Sequence, residues 1–118
     1  MKGLYSLDER FLKAGPENCF ISEITLAELM FGVENSDRRE KNQQALSDFL
    51  SGVKLIPIFH SLGLYAREKA RIRKTGTPID DFDLLIGCTA VTQNLTLVTN
   101  NTAHFSRING IKLEDWTK

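Results

Sequence analysis

Residues 19 to 32 read C-F-I-S-E-I-T-L-A-E-L-M-F-G. The first four form an apolar run that passes directly into Glu23-Ile24-Thr25, where Ser22 is placed to cap a helix by accepting from an orphan backbone N–H. The stretch reads as a buried strand feeding a helix that continues over Ile24 to Val33. The same succession recurs along the chain. Asn35-Ser36 breaks the helix, a polar helix is predicted from about Asp37 to Leu50 with Leu46, Phe49 and Leu50 inward, and Val53 to Phe59 gives a second strand for which Pro57 predicts either a sheet edge or the last position. A helix from about Ser61 to Lys74 and another from Ile79 to about Gln93 follow, then Leu95 to Thr99 (L-T-L-V-T) as a strand. Phe105 to Ile108 is predicted as a short helix and Ile111 to Leu113 as a last strand. Ahead of the opening stretch, Leu7 to Ala14 sets Leu7, Phe11 and Leu12 on one helical face before Gly15-Pro16 stops it, which predicts a short amphipathic helix.

Strands alternating with helices of this length predict an α/β fold, a parallel sheet covered on both faces. Ligands of such sheets bind beyond the C-terminal ends of the strands, which selects Ser22 to Glu28, His60 and Thr99 to Thr102. At 118 residues the chain suits a single domain. Fifteen lysines and arginines balance 15 aspartates and glutamates, which excludes a wholly basic nucleic-acid coat but not a segregated charge pattern. No apolar run approaches a membrane span, Met1 to Ser6 has no signal-peptide core, and the only cysteines, Cys19 and Cys88, sit in apolar runs. Reduced thiols in a cytoplasmic protein are expected, and two lone cysteines with two lone histidines show no zinc-ligand spacing.

Chemistry concentrates in T-P-I-D-D-F-D-L-L-I-G-C-T, residues 77 to 89. Pro78 is placed to open a helix whose first turn carries Asp80, Asp81 and Asp83 against the apolar run Leu84-Leu85-Ile86. One or two carboxylates there act as a cap and complement the helix dipole; three repel one another, and a hard cation would neutralise them. Asp80 and Asp83 share a helix face, whereas Asp81 lies about 100° round from Asp80. Glu28 neighbours Ile24, Phe31 and Gly32 on its own helix, so its carboxylate needs either an arginine or lysine partner or a role as metal ligand or general base. All-oxygen donors indicate Mg²⁺ or Mn²⁺. Thr99 and the Asn100-Asn101 pair follow a strand end and are placed to bind a metal-bound water or a phosphate, or simply to turn the chain. The preceding helix carries Arg67, Lys69, Arg71, Arg73 and Lys74 against the single Glu68. Such a run is either a solvated face or, beside an acidic cluster, a place where cations hold a nucleic-acid backbone while carboxylates hold a metal.

I-S-E-I-T-L-A-E-L-M-F-G (21 to 32), G-T-P-I-D-D-F-D-L-L-I-G (76 to 87), L-T-L-V-T-N-N-T-A-H-F (95 to 105) and I-K-L-E-D-W (111 to 116) together resemble the PIN-domain family, and within it the VapC toxins of toxin–antitoxin pairs. The resemblance runs from about Leu7 to Trp116. It implies one PIN-like domain over residues 1–118, built as a three-layer α/β/α sandwich. It also implies a metal-dependent endoribonuclease toxin that hydrolyses RNA phosphodiester bonds, forms a homodimer and is restrained by a VapB-type antitoxin. Carried over, Glu28, Asp83 and Asn101 are the metal ligands, with Glu28 and Asp83 catalytic and Thr99 nearby; Asp80 and Asp81 are candidate helpers, and the basic run offers Arg67, Arg71, Arg73 and Lys74 as RNA contacts.

The family opens with an L-D-T-N type strand and a helix, for which this chain has only Met1 to Ser6. The resemblance therefore implies a domain shortened at its N-terminus, whose sheet lacks its central opening strand and the aspartate on it. Such a vacancy leaves two strand edges about 10 Å apart, and either Lys2 to Ser6 or a second copy of the chain is expected to fill it. The competing reading is a non-catalytic PIN relic or binding module that acts through dimer or antitoxin contacts. A phosphoacceptor domain is excluded, because its acidic pair after the first strand and its aspartate after the third are not filled.

Overall fold

The computed structural model describes residues 11–15 and 18–115. Strand β1 (Phe11–Gly15) is followed by β2 (Asn18–Ser22), α1 (Glu23–Glu34), α2 (Arg39–Ser51), β3 (Lys54–Ile56), a 3₁₀ turn (Phe59–Ser61) and α3 (Leu62–Thr75). Then come α4 (Asp81–Thr92), β4 (Thr96–Val98), α5 (Thr102–Phe105) and β5 (Lys112–Glu114). The five strands form one sheet in the order β3-β2-β1-β4-β5. β3 pairs parallel to β2, and β5 parallel to β4, but β1 runs antiparallel to both of its neighbours. The sheet is mixed, which corrects the all-parallel expectation.

The central position is occupied by Phe11–Gly15, a segment that the sequence assigned to a helix over Leu7 to Ala14; Leu7 to Arg10 lie outside the described residues. Side-chain direction explains the correction. A helix would present Phe11 and Leu12 on the same side, whereas a strand sends them to opposite faces, and here both faces are covered. Leu12 stands opposite Phe20 and Leu97 in the register, and Phe11 stands opposite Val98. Leu12, Leu97, Leu84, Ile86, Cys88, Phe105 and Ile108 form one core beneath α3, α4 and α5. Phe11 packs on the other core, around Ile21, Leu29, Val33 and Leu46, beneath α1 and α2. Two cores on the two faces make the three-layer α/β/α sandwich. Lys2 to Ser6, expected as the substitute strand, lie outside the described residues.

Local chemistry sets the element ends. Ser22 caps α1, its Oγ accepting from Thr25 N at 3.1 Å, and Asp80 caps α4, its Oδ2 accepting from Phe82 N at 3.1 Å. β3 stops at Ile56, before Pro57, which has no N–H to donate, and it lies at the sheet edge as expected. The short helix after β4 falls at Thr102–Phe105, earlier than Phe105 to Ile108, because Phe105 N and Ser106 N already bond to Asn101 O and Thr102 O. Gly87 lets α4 lie close over the last core: a Cβ there would run into Ile108 Cδ1.

Glu68, 5 % exposed, fastens α3 to the turn before β5. Its carboxylate accepts from Arg71 Nε at 2.9 Å, Arg71 Nη2 at 2.8 Å and Asn109 N at 2.8 Å, while Arg71 Nη2 also donates to Arg107 O at 2.6 Å. The Arg71 hydrogen bonds hold the Glu68 carboxyl below its usual 4.5. A carboxyl whose folded-state pKa lies below its unfolded value stabilises the fold above that unfolded value and loses its contribution as pH falls through the folded one. Glu68→Ala, which removes the acceptor of the Asn109 N–H and frees a guanidinium that water can reach, is expected to cost about 1–2 kcal/mol at pH 7. The deficit should shrink as pH falls below about 4.5; urea melts of both proteins at pH 7 and in the acid range check this.

Candidate functional site

α1 leaves β2, the 3₁₀ turn follows β3, and α5 follows β4, so all three cluster beyond the C-terminal ends of the parallel strands. Glu23, in the first turn of α1, ties two of them together: its Oε1 accepts from Ile58 N at 2.8 Å. α4 leads through a turn at Gln93 and Asn94 into β4, so its acidic first turn lies at this same end of the sheet.

Glu28 stands on the second turn of α1, a helix that packs against α4, and its Oε1 is shielded from solvent. Its flank is more open than an apolar face, since the neighbouring Phe31 is 67 % exposed. Asp83 projects from the first turn of α4, its side chain 22 % exposed. The two carboxylates thus sit on packed helices at one end of the sheet. Asp80 and Asp81 have other occupations. Asp80 is the exposed cap of α4, and Asp81 Oδ1 accepts from Tyr65 OH at 3.0 Å and pairs with Lys69 Nζ at 2.9 Å. The Lys69 contact holds the Asp81 carboxyl below, and the Lys69 ammonium above, their usual values. Asp81 therefore joins α4 to α3.

Thr99 is buried at the end of β4, its N–H donating to Glu114 O at 3.0 Å and its Oγ1 accepting from Asn101 N at 3.1 Å. That turn leaves Asn101 exposed at the start of α5 with no side-chain capping bond. On α3, Arg67, Arg73 and Lys74 are exposed. Arg71 is held by Glu68 and Arg107 O, and Lys69 by Asp81, so these two cations of the run serve contacts within the chain. Burial pushes the Cys88 thiol up to about 12.

His104 is the residue that sequence reasoning missed. It sits on α5 with Nε2 3.4 Å from Asp83 Oδ2. The strand-end rule had singled out Thr99 to Thr102 and stopped two residues short; a helix opening at Thr102 carries residue 104 on its first turn.

The donors brought to this end of the sheet are oxygens of two carboxylates, an amide and a hydroxyl, with one imidazole beside them. Their chemistry suits a hard divalent cation. Their number is short, because no three His, Cys, Asp or Glu side chains converge among the described residues.

A PIN domain model matches residues 5–111. Ribonuclease VapC2 of Rickettsia felis is 41 % identical over 99 residues, which cover 83 % of this chain and 74 % of that one. The tRNA(fMet)-specific endonuclease VapC of Shigella flexneri is 33 % identical over 113 residues, 95 % of this chain and 85 % of that one. Among solved structures, VapBC-1 from nontypeable Haemophilus influenzae superposes with a TM-score of 0.81 at 32 % identity, covering 88 % of this chain and 79 % of that one. VapBC2 from Rickettsia felis, bound to a DNA fragment from its promoter, gives 0.78 at 40 %, covering 82 % and 74 %. The mixed five-stranded sheet between two helical layers, the carboxylates at its C-terminal end and kinship spread over nearly the whole sequence agree: this chain belongs to the PIN-domain family.

Proposed function

We propose that the chain is an endoribonuclease of the VapC type, a toxin that hydrolyses RNA phosphodiester bonds, forms a homodimer and is restrained by a VapB-type antitoxin. Kinship carries this reading, through the ribonuclease of Rickettsia felis at 41 % identity over 83 % of the chain. The position of Glu28 and Asp83 on packed helices at the ligand-binding end of the sheet supports it. PIN-domain VapC nucleases are generally dependent on a divalent metal. Mg²⁺ or Mn²⁺ is the cation proposed here, with Glu28 and Asp83 as two of its ligands and Asn101 and Thr99 on the turn beside them; when bound it supplies charge stabilisation at the phosphate and an activated water. Among the chain's own groups, the exposed Arg67, Arg73 and Lys74 would hold the RNA backbone, and the Asp81–Lys69 pair fixes α3, which carries them, against α4. A cytoplasmic location follows from the RNA substrate. Among the described residues no helix is long and apolar enough to cross a membrane.

The incomplete ligand group among the described residues favours one competing reading, a non-catalytic module that keeps the antitoxin and dimer surfaces. Incubating the purified chain with transfer RNA in Mg²⁺, in Mn²⁺ and in EDTA separates the two. Cleavage that EDTA abolishes supports the nuclease; intact RNA in all three, with an antitoxin peptide still bound, overturns it. The relative named for tRNA(fMet) makes initiator tRNA the first substrate to try. RNA affinity should fall with salt, and Arg73→Ala and Lys74→Ala are each expected to reduce the log–log salt slope by about one. Arg71→Ala should leave the slope unchanged, because that guanidinium is already committed to Glu68; filter binding across a salt series checks all three.

A further inference from the structure

We propose that His104 is a positioning residue for Asp83, donating from Nε2–H to Oδ2 and fixing the orientation of the carboxylate at the centre of the site. The inference rests on the ribonuclease reading and adds to it a residue on a different element. Its starting point is an anomaly: His104 Nε2 is a buried nitrogen with no hydrogen-bond partner among the described residues. Burying such a group without a partner is unfavourable. The His104 ring lies on the four-residue helix after β4. It is held inward by an edge-to-face contact with Phe105, centroids 5.5 Å apart and planes at 85°, and Phe105 is anchored in the core. Oδ2 of Asp83 is 3.4 Å away. That is within reach of a charge contact and outside hydrogen-bond geometry. A movement of about half an ångström would bring the pair to the 2.7–2.9 Å of a bond to a carboxylate, and catalytic hydrogen bonds commonly tighten in this way when the site is loaded.

The other acids of this turn show why α5 matters. Asp80 is oriented by Phe82 N on its own helix, and Asp81 by Tyr65 and Lys69 on α3. Asp83 is reached from α5, the element that follows β4 beyond the sheet. A carboxylate has two oxygens, and a hold on Oδ2 from an imidazole N–H limits how the group can turn.

His104→Phe keeps the ring and its contact with Phe105 but removes the donor; His104→Gln restores an N–H at a similar reach. The expected result for His104→Phe is Mn²⁺ binding about 10–100-fold weaker by calorimetry and kcat lowered to match, with KM for RNA unchanged. His104→Gln should return both quantities to within about threefold of the parent, which a merely space-filling role would not produce. Parent-like Mn²⁺ affinity and kcat in His104→Phe would overturn the assignment, as would a glutamine variant no better than phenylalanine. If phenylalanine prevents folding, the glutamine variant alone decides by the same criterion. A parent that neither binds Mn²⁺ nor cleaves RNA removes the ribonuclease reading and this role with it, whereas an active parent matched by His104→Phe removes this role only.

Discussion

Leu12→Ala is expected to destabilise the fold by about 2–5 kcal/mol, the range for truncating a fully buried leucine. That is a large share of the roughly 6–18 kcal/mol that a domain of this size commands. Leu12 is wholly buried in the middle strand, opposite Phe20 on one side and Leu97 on the other, so its truncation opens a cavity from which two strands and the helices above must relax. The effect depends on β1 being where the structure places it. Were residues 7–14 a surface helix, Leu12 would pack from one side only and its loss would cost far less. Hydrogen exchange supplies an independent reading, because the Leu12 amide, in the middle of a strand paired on both sides, should exchange among the slowest in the protein. A Leu12→Ala variant within about 0.5 kcal/mol of the parent, or a rapidly exchanging Leu12 amide, would place the centre of the sheet elsewhere. Lys13→Met is a useful companion. Lys13 Nζ reaches Glu114 at 2.9 Å and 2.7 Å, a half-exposed pair between the middle strand and the edge strand, and its loss is expected to cost about 1 kcal/mol or less.

What the sequence made legible, and what it hid, follows from where the deciding information lies. Cys19 to Glu34 was readable because its signals are local: an apolar run, a serine able to cap, then helical periodicity, and the structure has Asn18–Ser22, the Ser22 cap and Glu23–Glu34. Strand β4 was readable for the same reason. F-L-K-A was not, because two adjacent apolar residues fit one face of a helix as well as two faces of a strand; the choice is made by Phe20, Val98 and the helices on either side, all distant in sequence. The antiparallel direction of β1 has no local signature at all. In the candidate site, Glu28 stood out because a carboxylate beside apolar residues is conspicuous in a string of letters, whereas Asp83 was separated from Asp80 and Asp81 only by the family resemblance. The diversion of Asp81 to Lys69 and Tyr65, and of Arg71 to Glu68, depends on side-chain directions around α3 that a charge count cannot resolve. His104 was hidden because its importance comes from a contact across 21 residues of sequence between α4 and α5.

Asp83→Asn is expected to lower RNA cleavage by about 100-fold or more, and Glu28→Gln to do the same, each with little change in folding stability. The amide keeps the size and shape of the carboxylate and removes only its charge and one acceptor oxygen, so the loss reports on chemistry and not on packing. The neighbouring acids make the test sharp. Asp80→Asn retains a side chain that caps a helix as well as aspartate does, so α4 should be undisturbed and cleavage within about twofold of the parent. Asp81→Asn weakens an exposed contact with Lys69 and Tyr65, and cleavage should fall by no more than about threefold, through looser docking of α3 on α4. Three isosteric changes within one helical turn are thus expected to give three different outcomes, ranked by what each carboxylate touches and not by its distance along the chain. Antitoxin-peptide binding, measured on the same four proteins, should be retained throughout and shows that each is folded. If Asp81→Asn were as damaging as Asp83→Asn, the reactive centre would lie on the α3 side of the acidic turn, and the pairing of Glu28 with Asp83 would have to be given up.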